Sequence, residues 1–365
     1  MSEYILVLIW LGIAAAISSA IGQQSVVNIC GKYEKRYSLI WAVVVMLPII
    51  WWAGHRGPVG DTAVYVSQFN SMPNALSELQ AYLDTLTKDT GFYLFSALIR
   101  IFLTQDSVVY LTILAAIQGG ILVWVYRKYS TDYVVSIFLF IASTDYISWM
   151  YNGIRQFTAV TITFLATGMI LKKKYIPSIL LILLASAFHQ SALLMLPFIF
   201  LAQGEAWNKK TVLFILVILI AVASAGSFTG ILNNVLADTQ YKNVVSDWMS
   251  FNDDGTNILR VLVYAVPAIL SFWGRRTIQE EKDPVINLCT NMSIVSAGFY
   301  LLSRFTSGIF IGRLPIYFSL YSYILLPWEV DHLFDEQNSK LIKGCMIVAY
   351  LLFYYYGMHV TWNMF

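Results

Sequence analysis

The chain has 365 residues, 58% of them hydrophobic and 12% charged, with a formal net charge of +2. Its mean hydropathy is +0.66. An ordinary soluble domain carries about 25% charged residues, so the composition excludes a soluble enzyme, and the small net charge gives no footprint for nucleic acid.

Apolar stretches recur from end to end, each long enough or nearly so to cross about 30 Å of hydrocarbon as a helix. A β-barrel would need apolar and polar residues to alternate over segments of about ten, so the pattern predicts an all-α polytopic membrane protein. The first run, residues 4–21, has no basic flank before it. Lys32, Lys35 and Arg36 follow it, the reverse of a cleavable signal, so it reads as a retained span with its N-terminus outside. Further spans are expected at 39–54, 108–126, 132–149, 154–171, 211–227, 258–273, 285–303, 314–328 and 341–357. Basic clusters at 32–36, 127–128, 172–174, 209–210, 275–282 and 340–343 all become cytoplasmic by the positive-inside rule.

Two segments test that arithmetic. Residues 176–202 lie between two basic clusters, so a single crossing would put the clusters on opposite sides. A hairpin turning near Phe188, His189 and Gln190 keeps both inside. Residues 91–104 hold only about a dozen apolar positions and carry Arg100, which predicts a lid or re-entrant helix on the outer face. The total is about 11–13 transmembrane or re-entrant helices in a single membrane domain spanning 1–365, with external loops near 55–107 and 228–257. The second loop offers Tyr241, Trp248, Asp253 and Asp254 as sugar-binding groups, or else forms an amphipathic helix lying on the membrane. Cys30, Cys289 and Cys345 are too far apart for a metal or disulfide pattern.

This topology gathers the unusual charges on one face. Arg56 and Asp61 follow the second span, Arg155 sits in a turn between two spans, His189 tips the hairpin, and Arg304 and Arg313 join two late spans. Arginine at such depth is expensive and marks a site or an internal pair. Each residue also has a plain reading. Arg56 snorkels to the interface, Asp61 caps the helix starting at Thr62, His189 is a satisfied core residue, and Arg304 pairs with a carboxylate. Trp51, Trp52, Trp149 and the tyrosines of 354–356 read as an interfacial aromatic belt. Gly119 and Gly120 read as a close helix contact. Several arginines on one face suit a multiply charged anion, since guanidinium matches phosphate bidentately. With no nucleotide-binding motif present, the anion expected at a membrane face is a polyprenyl diphosphate.

The stretches "RGPVGDTAVY", "YNGIRQFTAV", "LLASAFHQSALLMLPF" and "GRLPIYF", in that order over nearly the whole chain, resemble the EpsG family, which belongs with the Wzy-like polymerases of exopolysaccharide and O-antigen. The resemblance implies a membrane glycosyltransferase of the lipid-carrier-dependent, GT-C-like class in the bacterial cytoplasmic (inner) membrane. It would work on the outer or periplasmic face, moving a growing glycan from undecaprenyl diphosphate to the next lipid-linked repeat unit. It implies no cofactor and no metal, with membrane lipid, a flippase and a chain-length regulator as partners. The motif arginines map to Arg56, Arg155 and Arg313 as the diphosphate grip; Arg304, outside the motif, joins them by its place on the same face. His189 and Asp61 map to the proton-accepting positions. Tyr65, Asn152, Gln156 and Tyr317 lie within the motifs as substrate-positioning residues. A flippase or transporter of the same lipid-linked sugar, an O-antigen ligase and an acyltransferase using His189 are the alternative activities.

Single cysteines placed at 61, 250 and within 304–313 should react with an impermeant thiol reagent on intact cells, while those at 172–174 and 275–282 should not. Positions 208 and 250 found on the same side would break the hairpin reading.

Overall fold

The computed structural model describes residues 3–21, 24–224 and 254–364, with positions 231 and 234. Tyr241, Trp248 and Asp253 lie outside the described residues. In chain order the elements are α1 (Glu3–Ile21), a hairpin of β1 (Gln24–Ile29) and β2 (Lys32–Tyr37), α2 (Leu39–Gly54), α3 (Thr62–Ser71), α4 (Leu76–Asp84), α5 (Thr90–Phe102) and α6 (Ser107–Tyr129). Next come α7 (Tyr133–Ala142), a π-helical segment (Tyr146–Asn152), α8 (Ile154–Leu165), α9 (Thr167–Leu171), α10 (Tyr175–Phe188), a 3-10 turn (Gln190–Leu194), α11 (Met195–Leu201) and α12 (Lys209–Ala223). The rest are α13 (Ile258–Trp273), α14 (Arg275–Glu281), α15 (Pro284–Arg304), a 3-10 turn (Ile311–Arg313), α16 (Ile316–His332), α17 (Glu336–Tyr356) and a π-helical end (Gly357–Thr361).

Local chemistry sets many of the helix starts. Ser38, Asp106, Asp132, Asn208, Asn257, Asp283 and Asp335 each accept first-turn N–H groups in their side chains, supplying partners that the helix itself lacks. Among the described residues, five helical stretches are long and apolar enough to cross a membrane, and two bent pairs bring the number to seven. Four shorter apolar helices, among them α2, α5 and α10, add to these. The chain is thus an all-α polytopic membrane protein. The expected span at 132–149 is in fact two pieces, α7 and the π-helical segment, bent by 74°.

Two compact units divide the chain, residues 1–193 with 335–365, and residues 194–334. In the first, α2 lies along α6. The contact is close because Gly54 has no side chain: a Cβ there would fall 2.0 Å from the Thr112 hydroxyl. Gly119 likewise faces Ile50 and Met46, whereas Gly120 faces open space. Gln118 of α6 reaches across to the Ile154 carbonyl (3.2 Å) and Thr158 hydroxyl (2.9 Å) of α8. At one end Arg127 ties the β-hairpin to α6 through the Tyr37 carbonyl and Ser25 hydroxyl, and Lys343 pairs with Asp132 at 2.7 Å. The basic clusters at 32–36, 127–128 and 340–343 therefore share one end of this unit, as the positive-inside reading requires. At the end reached by the C-terminus of α2, α3, α5 and α6 enclose an aromatic cluster in which Phe69 stacks on Tyr110 at 4.0 Å.

In the second unit α15 packs against α12, α13 and α16. Phe299 stacks on Phe318, and Phe198 meets both edge-on. The Ala206 amide donates to Asn287, Trp207 donates to Ser271, and Gly274 makes room for Leu333. These contacts build the end that carries Lys209, Lys210 and Arg275. At the opposite end the Thr256 and Ser303 hydroxyls bond at 2.7 Å, and Gly255, Gly308 and Gly312 press against that pair's backbone and hydroxyls.

Some sequence expectations need correction. Trp149 is not interfacial: it is 5% exposed and donates to the buried Asp145. Tyr354 is also interior, donating to the Tyr4 carbonyl, while Trp51 and Tyr355 remain exposed. Aromatic composition alone cannot separate a belt from a core, because both need one apolar and one polar contact. The loop near 55–107 contains three helices, and the β-hairpin was not anticipated. The break at His189 appears where expected, between α10 and the 3-10 turn.

Gly54→Ala should lower stability by about 1–3 kcal/mol through overpacking. Gly120→Ala should be neutral or raise it by about 0.5–1 kcal/mol through helix propensity. Thermal unfolding of the two variants in one detergent measures the contrast.

Candidate functional site

Arg56 follows the last turn of α2 and is 8% exposed. Its Nε donates to the Thr62 hydroxyl at 3.0 Å, Nη1 donates to the Ala53 carbonyl, and the guanidinium lies 4.9 Å from the centre of the Tyr151 ring. Nη2 has no hydrogen-bond partner. Burial pulls the guanidinium pKa below its ordinary value, and neighbouring tyrosines oppose the shift; arginine stays charged at any physiological pH. A buried donor left unbonded costs about 1–3 kcal/mol. The arrangement therefore leaves one buried N–H group of a charged side chain without a partner.

Several elements converge to hold it. The Thr62 hydroxyl in turn donates to the Tyr151 carbonyl at 3.1 Å. The Asp61 amide donates to the Asn152 side chain at 2.9 Å. Gly60 has φ +53°, and a Cβ there would fall 2.5 Å from the Asn152 oxygen, so glycine is required on both counts. Tyr151 and Asn152 are presented by the π-helical segment, whose wider turn is often found at functional positions. Asp61 makes no side-chain cap to α3; its expected capping role is absent, and its carboxylate is available for other work.

One turn along, Arg155 begins α8. Its Nη1 meets Asp89 at 3.0 Å and the Tyr93 hydroxyl at 3.0 Å, with the guanidinium over the Tyr93 ring. The side chains of Arg155 and Asp89 are 22% and 3% exposed, so the pair is mostly out of solvent. The Arg155 amide approaches the Tyr65 hydroxyl at 3.5 Å. Burial raises the Tyr65 pKa, which keeps its hydroxyl protonated. His189 follows α10 in extended conformation, with Nδ1 2.7 Å from the Ser191 hydroxyl. Its neighbourhood packs on the start of α5: Gly91 abuts Ala187, and Phe95 meets Phe188.

An open cavity of about 700 Å³ adjoins this network. Arg56, Thr62, Ser67, Asn70, Ser71 and Ser107 supply its polar lining. One buried cation surrounded by neutral hydroxyls and an amide suits an anionic head group and a hydroxyl-rich ligand. The family model of the EpsG family matches residues 39–363.

The chain belongs to the EpsG family. Membership gives it a polysaccharide-polymerase type of role, glycosyltransferase-like in broad class. No curated protein and no solved structure matches it.

Of the residues named from the sequence, the first unit brings Arg56, Asp61, Tyr65, Asn152 and Arg155 into one bonded network, and Arg56 alone among them lines the cavity. Gln156 is buried inside α8. Arg304, Arg313 and Tyr317 belong to the second unit. There Arg304 donates to the Asp254 carbonyl at 2.7 Å, Arg313 is exposed in its 3-10 turn, and Tyr317 is buried in α16. Thr62, Asp89, Tyr93 and Tyr151 were missed. The signal for Asp89 was present: a charged Arg155 at that depth needs a counter-ion, and few carboxylates share its loop region.

Asp89→Asn should destabilise the protein by about 1–3 kcal/mol, because it strips a charged partner from a half-buried arginine. Asp61→Asn should shift stability by less than about 0.5 kcal/mol. Denaturation midpoints of both variants decide this.

Proposed function

We propose that the chain is a Wzy-type, GT-C-like polymerase that elongates a glycan carried on undecaprenyl diphosphate, at the outer face of the bacterial cytoplasmic membrane. The observation that supports this most directly is the buried Arg56 guanidinium, met only by neutral groups, in the wall of a cavity whose lining includes the hydroxyls of Thr62, Ser67, Ser71 and Ser107. The acceptor is the sugar end of the next lipid-linked repeat unit. Its hydroxyl oxygen attacks the anomeric carbon of the growing chain. The bond from that carbon to the diphosphate breaks, and undecaprenyl diphosphate leaves with the electron pair. A fixed guanidinium stabilises the charge that appears on the leaving oxygen, without reorganising water at the moment of reaction. Arginine supplies the counter-charge, so no metal is needed.

Arg155 has a different balance from Arg56, because Asp89 already offsets its charge. Its role in the proposal is to hold the start of α8, with Tyr65 and Tyr93, in place beside the Arg56 network. Arg313 and Arg304, in the second unit, are further candidates for an anion, by family motif and by position in sequence respectively. The acceptor proton passes to His189 or to Asp61. His189 has the intrinsic basicity suited to neutral pH, and the missing Asp61 cap removes the main argument against the aspartate.

Purified protein given lipid-linked repeat unit, without nucleotide or added metal, should produce a ladder of chain lengths. A deletion strain should lose polymer but keep single repeats; loss of single repeats from the outer surface would instead mean a flippase.

Arg56→Lys should retain folding and lose about 10²-fold or more in ladder formation, since lysine keeps charge but not the forked geometry. His189→Ala should leave donor binding intact and cut turnover by about a hundredfold. If turnover survives there and vanishes in Asp61→Asn with donor binding preserved, the base is the aspartate.

A further inference from the structure

The second unit contains a carboxyl group with no hydrogen-bond or ion-pair partner among the described residues. Glu329, near the end of α16, is 0% exposed, and neither carboxyl oxygen has a hydrogen-bond partner. α16 runs antiparallel to α15, and the Ser293 and Ser322 hydroxyls bond across the seam at 2.9 Å. Helical periodicity places Ser319, Ser322 and Glu329 on one face of α16 and Cys289, Ser293 and Ser296 on the facing stripe of α15. The hydroxyls of Ser296 and Ser319 are also buried without partners. Cys289 is 0% exposed and lies on the same side of the Ser293–Ser322 bond as Glu329.

No ion pair among the described residues involves Glu329. The ionisable side chains of α15 are Cys289, Tyr300 and Arg304, and Arg304 is committed to the opposite end at Asp254. Asp283 caps α15 and is occupied by the Val285 and Ile286 amides. The stretch of α13 between Tyr264 and Trp273 has no ionisable residue, and Tyr264 bonds to Tyr323. α11, packed on Phe318 through Phe198, has none. On α16 itself Asp331 and His332 follow Glu329, and His332 is bonded to the Trp328 carbonyl.

An ionised carboxylate so placed would cost at least several kcal/mol, so the group neutralises by binding a proton. Small residues at a helix seam let two backbones approach, which accounts for the serines. It does not account for Glu329, since glutamine or methionine would fill the same space without titrating. An ionisable residue inside a membrane domain marks a functional site. We propose that Glu329, buried without a partner in the α15–α16 seam on the same side of the Ser293–Ser322 bond as Cys289, is a proton-binding site: it carries one proton at neutral pH, and release of that proton opens the seam to water. A bare carboxylate needs donors that the closed seam does not offer, so protonation and helix packing form one equilibrium.

The test uses the full-length protein with Cys30→Ser and Cys345→Ser, which leaves Cys289 as the one thiol. The infrared spectrum at neutral pH should show the carbonyl stretch of a protonated carboxylic acid. That band should shift in D2O and disappear in Glu329→Gln. Maleimide labelling of Cys289, normalised at each pH to denatured protein, should rise by about tenfold per pH unit as the proton is lost, until it saturates. The rise should be absent in Glu329→Gln. A parent spectrum with no protonated-carboxyl band, or with one that persists unchanged in Glu329→Gln, overturns the proton site. Equal normalised labelling in the two proteins overturns the link to packing. Should Glu329→Gln fail to fold, Glu329→Met serves as the neutral comparison and the D2O shift is read on the parent protein alone. Neither readout requires polymerase activity.

Discussion

The buried Arg56 guanidinium is the constraint on which the first unit's site depends. A full charge removed from water has to be met by oxygens and ring faces in fixed positions. Here they come from the α2 terminus, the start of α3 and the π-helical segment. Those pieces are distant in sequence, and none is placed by its own propensity. The Thr62 hydroxyl accepts from Arg56 and donates to Tyr151, so one small side chain joins all three. The incomplete pairing matters as much as the pairing. A fully paired arginine would be structural, whereas a cation met only by neutral groups in the wall of a cavity keeps its charge for an anion that comes and goes.

The same accounting separates the two arginines of the site. Arg155 meets Asp89 and Tyr93, which stabilises the start of α8 but lowers the positive charge offered to a ligand. Arg56 meets only neutral groups and keeps its charge. A diphosphate held between such a pair would feel one strong and one tempered cation, an arrangement that can bind donor without retaining the departing lipid diphosphate too tightly.

Breaks in the helices carry the polar machinery. The π-helical segment follows a 74° bend after α7, and His189 stands where α10 gives way to a 3-10 turn. Irregular backbone at membrane depth is tolerated only where protein or water satisfies it. Here the satisfying groups are the side chains that form the site. Gly60 shows the principle at one residue: its left-handed backbone and missing Cβ let Asn152 bond the Asp61 amide.

Sequence alone determined the helical membrane class and most of the long apolar helices, and it named Arg56, Asp61, Asn152 and Arg155 as residues that the first unit then brings close together. Apolar length, capping residues and misplaced charge are local signals, and each is written in consecutive residues. It also located the break at His189, since the basic clusters on both sides of 176–202 require the chain to turn back between them. Other features depended on contacts between distant segments. Trp149 and Tyr354 could be assigned to the core only once Asp145 and Tyr4 were found against them. The vacant cap at Asp61, the Asp89 partner of Arg155 and the isolation of Glu329 were likewise decided by tertiary structure. The physical reason is that pairing is a relation: a charged side chain announces in sequence that it needs a partner, and only the folded chain shows whether it has one.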